Sequence, residues 1–196
     1  MQEIASVESY FRLLSTTAGQ LPFEAIEEVA ATLVQAYESE RTIYLFGNGG
    51  SAALASHMAC DLGKGTVNGS KKRFRAMSLT SNEAMMTAWA NDSNYHDIFA
   101  EQLANFVAPG DVAFAISCSG NSANVLNALR VARQARATTV GLAGFQGGKM
   151  KELCDQCLIV PSDNMQIIED LHLCAAHAVF TAVRRKVCHT SSAASA

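Results

Sequence analysis

The chain has 196 residues, 49% of them hydrophobic and 17% charged, with a formal net charge of −3. That length and composition fit one globular domain with a sizeable core and exclude an intrinsically disordered chain. The weakly acidic total gives no support to nucleic-acid binding or to a polybasic membrane surface.

The opening stretch, MQEIASVESYFRLL, holds Glu3 and Glu8 and lacks the basic start and apolar core of a signal peptide. No apolar run approaches the ~20 residues of a membrane span, so a cytoplasmic protein is expected. An amphipathic helix is predicted over 5–14. A second, over 23–37, follows Pro22 and sets Phe23, Ile26, Val29, Ala30, Leu33 and Ala36 on one stripe. The first has nothing obvious to pack on and the second is more apolar than one sheet face needs, which points to a partner subunit. TIYLF (42–46) reads as a strand buried on both faces, and 51–62 as the helix after it.

Lys71, Lys72, Arg73 and Arg75 form a basic run, read as a solvated lead-in to a second strand, FRAMSL (74–79). Helices are predicted over 83–90 and 96–106. DVAFAIS (111–117), announced by Pro109-Gly110, is the third strand, and 123–134 the next helix. TTVGLAG (138–144) is the fourth strand, 149–153 a short helix and LIVP (158–161) the fifth strand. A long helix over 167–186 and a frayed tail, 189–196, complete a single domain of residues 1–188. Strand–helix alternation of this kind predicts a three-layer α/β/α sandwich on a five-stranded parallel sheet.

The six cysteines, at 60, 118, 154, 157, 174 and 188, read as mostly buried free thiols. Cys154 and Cys157 have CxxC spacing, but they lead into a strand, whereas a redox motif opens a helix.

Ligands of such sheets bind beyond the carboxyl ends of the strands. Two turns there are unusual. Gly47-Asn48-Gly49-Gly50-Ser51 joins the first strand to its helix. It is neither a P-loop nor GxGxxG; it reads either as a close approach to an anion or as a tight turn with Ser51 as N-cap. Ser117-Cys118-Ser119-Gly120-Asn121-Ser122 crowds hydroxyl and amide groups at the third strand's end, more than one N-cap needs, and reads as an anion site. Asn91-Asp92 either meets a hydroxylated ligand or only ends a helix. His57 and Asp61, four apart, share a helical face, and Glu169 and His177, eight apart on the last helix, face roughly one way. Two imidazoles and two carboxylates suit a divalent metal such as zinc, if the two helices meet.

Together these segments resemble the sugar isomerase (SIS) domain and, within it, the phosphoheptose isomerase family. The resemblance lies in GNGGSAALASHMACDL, TAWANDSNYHDIF, PGDVAFAISCSGNSANV and IIEDLHLCAAHAV, in that order. It implies a flavodoxin-like α/β/α fold, a homotetramer with sites at subunit boundaries, and zinc, one ion per chain. The implied activity converts D-sedoheptulose 7-phosphate to D-glycero-D-manno-heptose 7-phosphate through an enediol. By motif, Asn48, Gly49, Gly50 and Ser51 would line the substrate, Asn91 and Asp92 would meet the sugar, and Ser117, Cys118, Ser119 and Ser122 would hold the phosphate. His57, Asp61, Glu169 and His177 fall on the metal positions, with Asp61, Glu169 and His177 as the acid–base candidates. The family typically has Glu at position 61, Gln at 169 and Thr or Ser at 118. The chain therefore carries two carboxylates where the family has one, and one hydroxyl fewer. A second class of function is implied by regulatory relatives: a non-catalytic sugar-phosphate sensor that recruits a replication protein.

Overall fold

The computed structural model describes residues 5–67, 69 and 72–189. Two helices lead, α1 (Val7–Ala18) and α2 (Phe23–Glu38). Then come β1 (Thr42–Gly47), α3 (Gly50–Gly65), β2 (Arg75–Ser78), α4 (Glu83–Asp92), α5 (Ala100–Ala104), β3 (Val112–Ile116) and α6 (Ala123–Gln134). The chain continues through β4 (Thr138–Ala143), α7 (Met150–Leu153), β5 (Gln156–Ile159) and α8 (Met165–His189). The five strands pair in parallel in the order β2-β1-β3-β4-β5. The order reverses between β1 and β3, so the crevice for a ligand opens beyond Gly47 and Ile116.

Alternation along the strands divides the core in two. Ile43, Leu45, Val112, Phe114, Ile116, Val140 and Leu142 face α1, α2, α3 and α8. Tyr44, Phe46, Ala113, Ala115 and Ala143 face α4, α5, α6 and α7. This is the expected three-layer sandwich, with β1 and β3 buried on both faces.

Local boundaries differ from the sequence reading where side chains cap the backbone. Helix α1 begins at Val7 because Ser6 accepts from the Ser9 N–H in a capping box, and it runs on to Ala18. Phe23, placed on the buried stripe of α2, is 60% exposed. The predicted helix over 96–106 is reduced to the five residues of α5, since the Asn94 carbonyl oxygen accepts from His96 N–H and holds a turn there. Strand β5 lies two residues earlier than expected and includes Cys157. Helix α8 starts earlier too, where Asn164 Oδ1 accepts from Ile167 N–H. The basic lead-in ties down a neighbour: Lys72 Nζ donates to Glu38 O at 2.6 Å and Arg75 Nη1 to Glu40 O at 3.1 Å. Of the tail expected over 189–196, His189 ends α8 and 190–196 lie outside the described residues.

Candidate active site

Helices α3 and α8 cross on one side of the sheet, and the crossing brings three expected residues together. His57 Nε2 lies 2.9 Å from His177 Nε2 and 3.3 Å from Asp61 Oδ2, and His177 Nε2 lies 4.0 Å from Asp61 Oδ2. Two imidazole nitrogens at hydrogen-bond distance need one protonated and one bare, or else an ion between them. All three donor atoms lie within 4.8 Å of one another, so this half-exposed set could hold a divalent metal ion.

Glu169 stands outside that set, within which all donor atoms lie within 4.8 Å of one another. Its carboxylate instead faces the first turn of α3: a Cβ built at Gly50 would lie 3.4 Å from Glu169 Oε1. Gly50, Ser51, Ala53, Leu54, His57, Glu169, Asp170, His172 and Leu173 line one cavity of about 330 Å³. Of the metal-type cluster, His57 opens on the same space as the separate carboxylate.

The two turns meet above the switch point. Asn48 Nδ2 donates to Asn124 Oδ1 at 2.9 Å, and Asn124 Nδ2 donates back to Asn48 Oδ1 at 2.8 Å. Tyr95 Oη also donates to Asn48 Oδ1, at 3.0 Å. Gly49 is the N-cap of α3 with φ +57°, and Ser51 is buried. In the second turn, Ser117 Oγ and Ser122 Oγ lie 3.3 Å apart, and Ser119 Oγ accepts from Asn121 N–H at 3.2 Å. Gly120 adopts φ +62° with Gly147 O so close that a Cβ would sit 2.1 Å from it, so only glycine lets this turn pack on the β4–α7 loop.

Cys118 stands between the serine turn and α8. Its thiol is buried, 4.0 Å from His172 Nδ1, and hydrogen-bonds the Ser51 side chain. His172 Nε2 lies 3.0 Å from Ala143 O and donates to it, which leaves Nδ1 as acceptor for the thiol. Burial pushes the His172 pKa down and the Cys118 thiol pKa up, so both stay neutral. Asn91 and Asp92 end α4, exposed and hydrogen-bonded to each other at 2.8 Å; neither joins the cluster. Their segment reaches the site through Tyr95.

Sequence reasoning sets Asp170 and His172 on other faces of the last helix; it missed Asn124, Tyr95 and the pair formed by Tyr10 of α1 with Asp170 of α8. Tyr10 is pushed up to about 12, first by that hydrogen bond, then by burial and the charges of Asp170 and Glu169. Only IIEDLHL, with three ionisable side chains in four residues, carried a signal for any of these.

The SIS domain family matches residues 8–144 of the chain. A phosphoheptose isomerase of Bradyrhizobium sp. (strain BTAi1 / ATCC BAA-1182) is 42% identical over 77% of this chain and 76% of its own length. The chain belongs to the phosphoheptose isomerase family. Solved structures agree: the phosphoheptose isomerase from Neisseria gonorrhoeae superposes with a TM-score of 0.83 at 28% identity, covering 90% of this chain and 96% of that one. The one from Francisella tularensis gives 0.84 at 28% identity, over 94% and 100%. Phosphoheptose isomerases thus match both by sequence and by fold. The serine turn follows β3 at the carboxyl edge of the sheet, where ligands of parallel sheets bind.

Proposed function

We propose that this chain is an aldose–ketose isomerase that converts D-sedoheptulose 7-phosphate to D-glycero-D-manno-heptose 7-phosphate. The observation that carries the reading is its match to phosphoheptose isomerases over three quarters and more of both chains. The relatives give the replication-regulator reading no support.

The geometry supports a division of labour between the carboxylates. His57, Asp61 and His177 hold one divalent ion, zinc from the mixed imidazole and carboxylate donors. When bound, such an ion polarises the substrate's carbonyl and hydroxyl oxygens. The family typically has Gln at 169, so a base there is particular to this chain: Glu169, outside the donor set but on the same cavity, takes the proton from the carbon next to the carbonyl and returns it to the neighbouring carbon. His177 Nε2 belongs to the donor set, so the proton-handling expected of it passes to Glu169. Ser117, Ser119 and Ser122, with the backbone of the turn, hold the phosphate. Asn48, Gly49, Gly50 and Ser51 line the sugar, with Asn91 and Asp92 at its open end. Val7 and Phe11 of α1 and Phe23 of α2 are 77%, 61% and 60% exposed, which supports a homotetramer with the half-exposed cluster at a subunit boundary.

Incubation with sedoheptulose 7-phosphate should yield the aldose, with solvent deuterium entering the exchanged carbon. Glu169→Gln should lower kcat by roughly 10²–10⁴ and keep the metal, since a general base contributes about that much. Asp61→Asn should lose metal by elemental analysis. The reverse pattern, metal lost with Glu169 and retained without Asp61, would overturn the division.

A further inference from the structure

One pair of reactive groups lies apart from the site. Cys154 caps the C-terminus of α7 and Cys157 lies in β5. Their side chains converge on Gly141, in the middle of β4: a Cβ built there would lie 2.8 Å from Cys154 Sγ and 3.3 Å from Cys157 Sγ. Glycine weakens a strand interior and marks places where something must come close. Here the room its missing side chain leaves is filled by the two sulfurs and by the Met150 methyl, 3.1 Å from the same point. Both cysteines are partly buried, and both are free thiols.

The segment between them is pinned. Asp155 N–H donates to Thr139 O at 2.9 Å, Thr139 N–H donates to Asp155 Oδ2 at 2.8 Å, and Thr139 Oγ1 donates to the same carboxylate oxygen at 2.9 Å. With Asp155 fixed to β4, the residues on either side have little freedom to part. The pair is therefore held by the sheet itself.

We propose that Cys154 and Cys157 form a reversible dithiol–disulfide couple, a modification site that closes by exchange with low-molecular-weight disulfides. The Cys157 thiolate attacks one sulfur of the small disulfide, forming a mixed disulfide and releasing one small thiolate. The Cys154 thiol gives its proton to solvent and attacks Cys157 Sγ, expelling the second small thiolate. Two protein thiols are oxidised and one small disulfide is reduced to two thiols. The asymmetry has a source: the hydrogen bond from Cys154 draws the Cys157 thiol down, aided by Lys151 against the effect of burial. The same pairing, with burial, pushes Cys154 up. A thiolate, not a thiol, is the attacking species.

The test uses the full-length protein in glutathione–glutathione disulfide mixtures, with remaining thiols trapped by alkylation and mapped by peptide mass spectrometry. Cys154 and Cys157 should lose alkylation together, without gain of glutathione, and regain it in dithiothreitol. Cys154→Ser should leave glutathione attached at Cys157; Cys157→Ser should leave Cys154 reduced. A Cys60→Ser, Cys174→Ser background removes the two exposed thiols and should leave the result unchanged. The proposal is overturned if Cys154 and Cys157 in the wild-type chain stay alkylatable while Cys60 and Cys174 take up glutathione. Mixed adducts on both cysteines of the pair, with no closure, overturn it equally.

Discussion

Replacing Asn124 by Ala tests whether the reciprocal amide pair holds the substrate turn. The Asn124 side chain is 2% exposed and makes three hydrogen bonds. Two join it to Asn48, and the third accepts from Val125 N–H, in the first turn of α6, at 2.9 Å. Asn48 is half-buried, so water replaces much of what it loses. Val125 is fully buried, and its N–H is left without an acceptor. Two hydrogen bonds at ~0.5–1 kcal/mol and one stranded donor at about 1–2 kcal/mol give a loss of roughly 2–4 kcal/mol. In a domain of this size that lowers Tm by about 4–16 °C, measured by thermal unfolding. Asn124→Asp keeps the acceptor for Val125 N–H and should recover about half. With Asn48 untethered, KM for the sugar phosphate should rise more than kcat falls. An Asn124→Ala chain with unchanged Tm and KM would refute the reasoning, since it would mean the pair orders nothing.

Ser119→Ala and Ser122→Ala should each weaken sugar-phosphate binding by about 1–3 kcal/mol in calorimetry, the cost of a charged acceptor losing a donor; equal affinity would remove the serine turn from the phosphate site. Burial holds the His172 pKa below its ordinary 6.5, so the unfolded chain takes up the proton first. That contribution to stability is complete above about pH 6.5 and is lost as pH falls below it, and His172→Gln should flatten the acid limb of denaturant unfolding relative to the wild type. The Tyr10 hydroxyl should titrate near pH 12 by ultraviolet absorbance, with its contribution to stability present below pH 10 and lost as pH rises through 12; a normal titration would mean the bond to Asp170 does not form in solution. Phe11→Glu with Phe23→Glu should dissociate the oligomer at micromolar concentration in light scattering, and a wild-type monomer would refute the subunit-boundary reading.

The sheet was legible because parallel strands buried on both faces must be short apolar runs: TIYLF and VAFAI occur where predicted, and their partners follow from the crossover rule. Errors fell where a polar side chain competes with the backbone, as Asn94 does before α5, or where packing overrules a stripe, as at Phe23. Asn124 was invisible for another reason. It looks like any helix-opening Asn, and its partner lies 76 residues away.

The metal-type cluster shows the limit most clearly. Spacing placed His57 with Asp61, and Glu169 with His177, but spacing within a helix says nothing of how two helices cross. The crossing is set further along. Gly65 follows His57 and Asp61 at the same four-residue step, and a Cβ there would lie 2.5 Å from Phe180 Cζ. Phe180 stands three residues after His177, on the neighbouring turn of α8. A missing side chain on α3 thus admits a ring from α8, and the approach this allows carries the two imidazoles to 2.9 Å. Glu169, more than two turns back along α8, is carried past Asp61 to the first turn of α3, against Gly50. One close crossing therefore sorts the two carboxylates, joining the shorter to the histidines and leaving the longer free on the cavity wall.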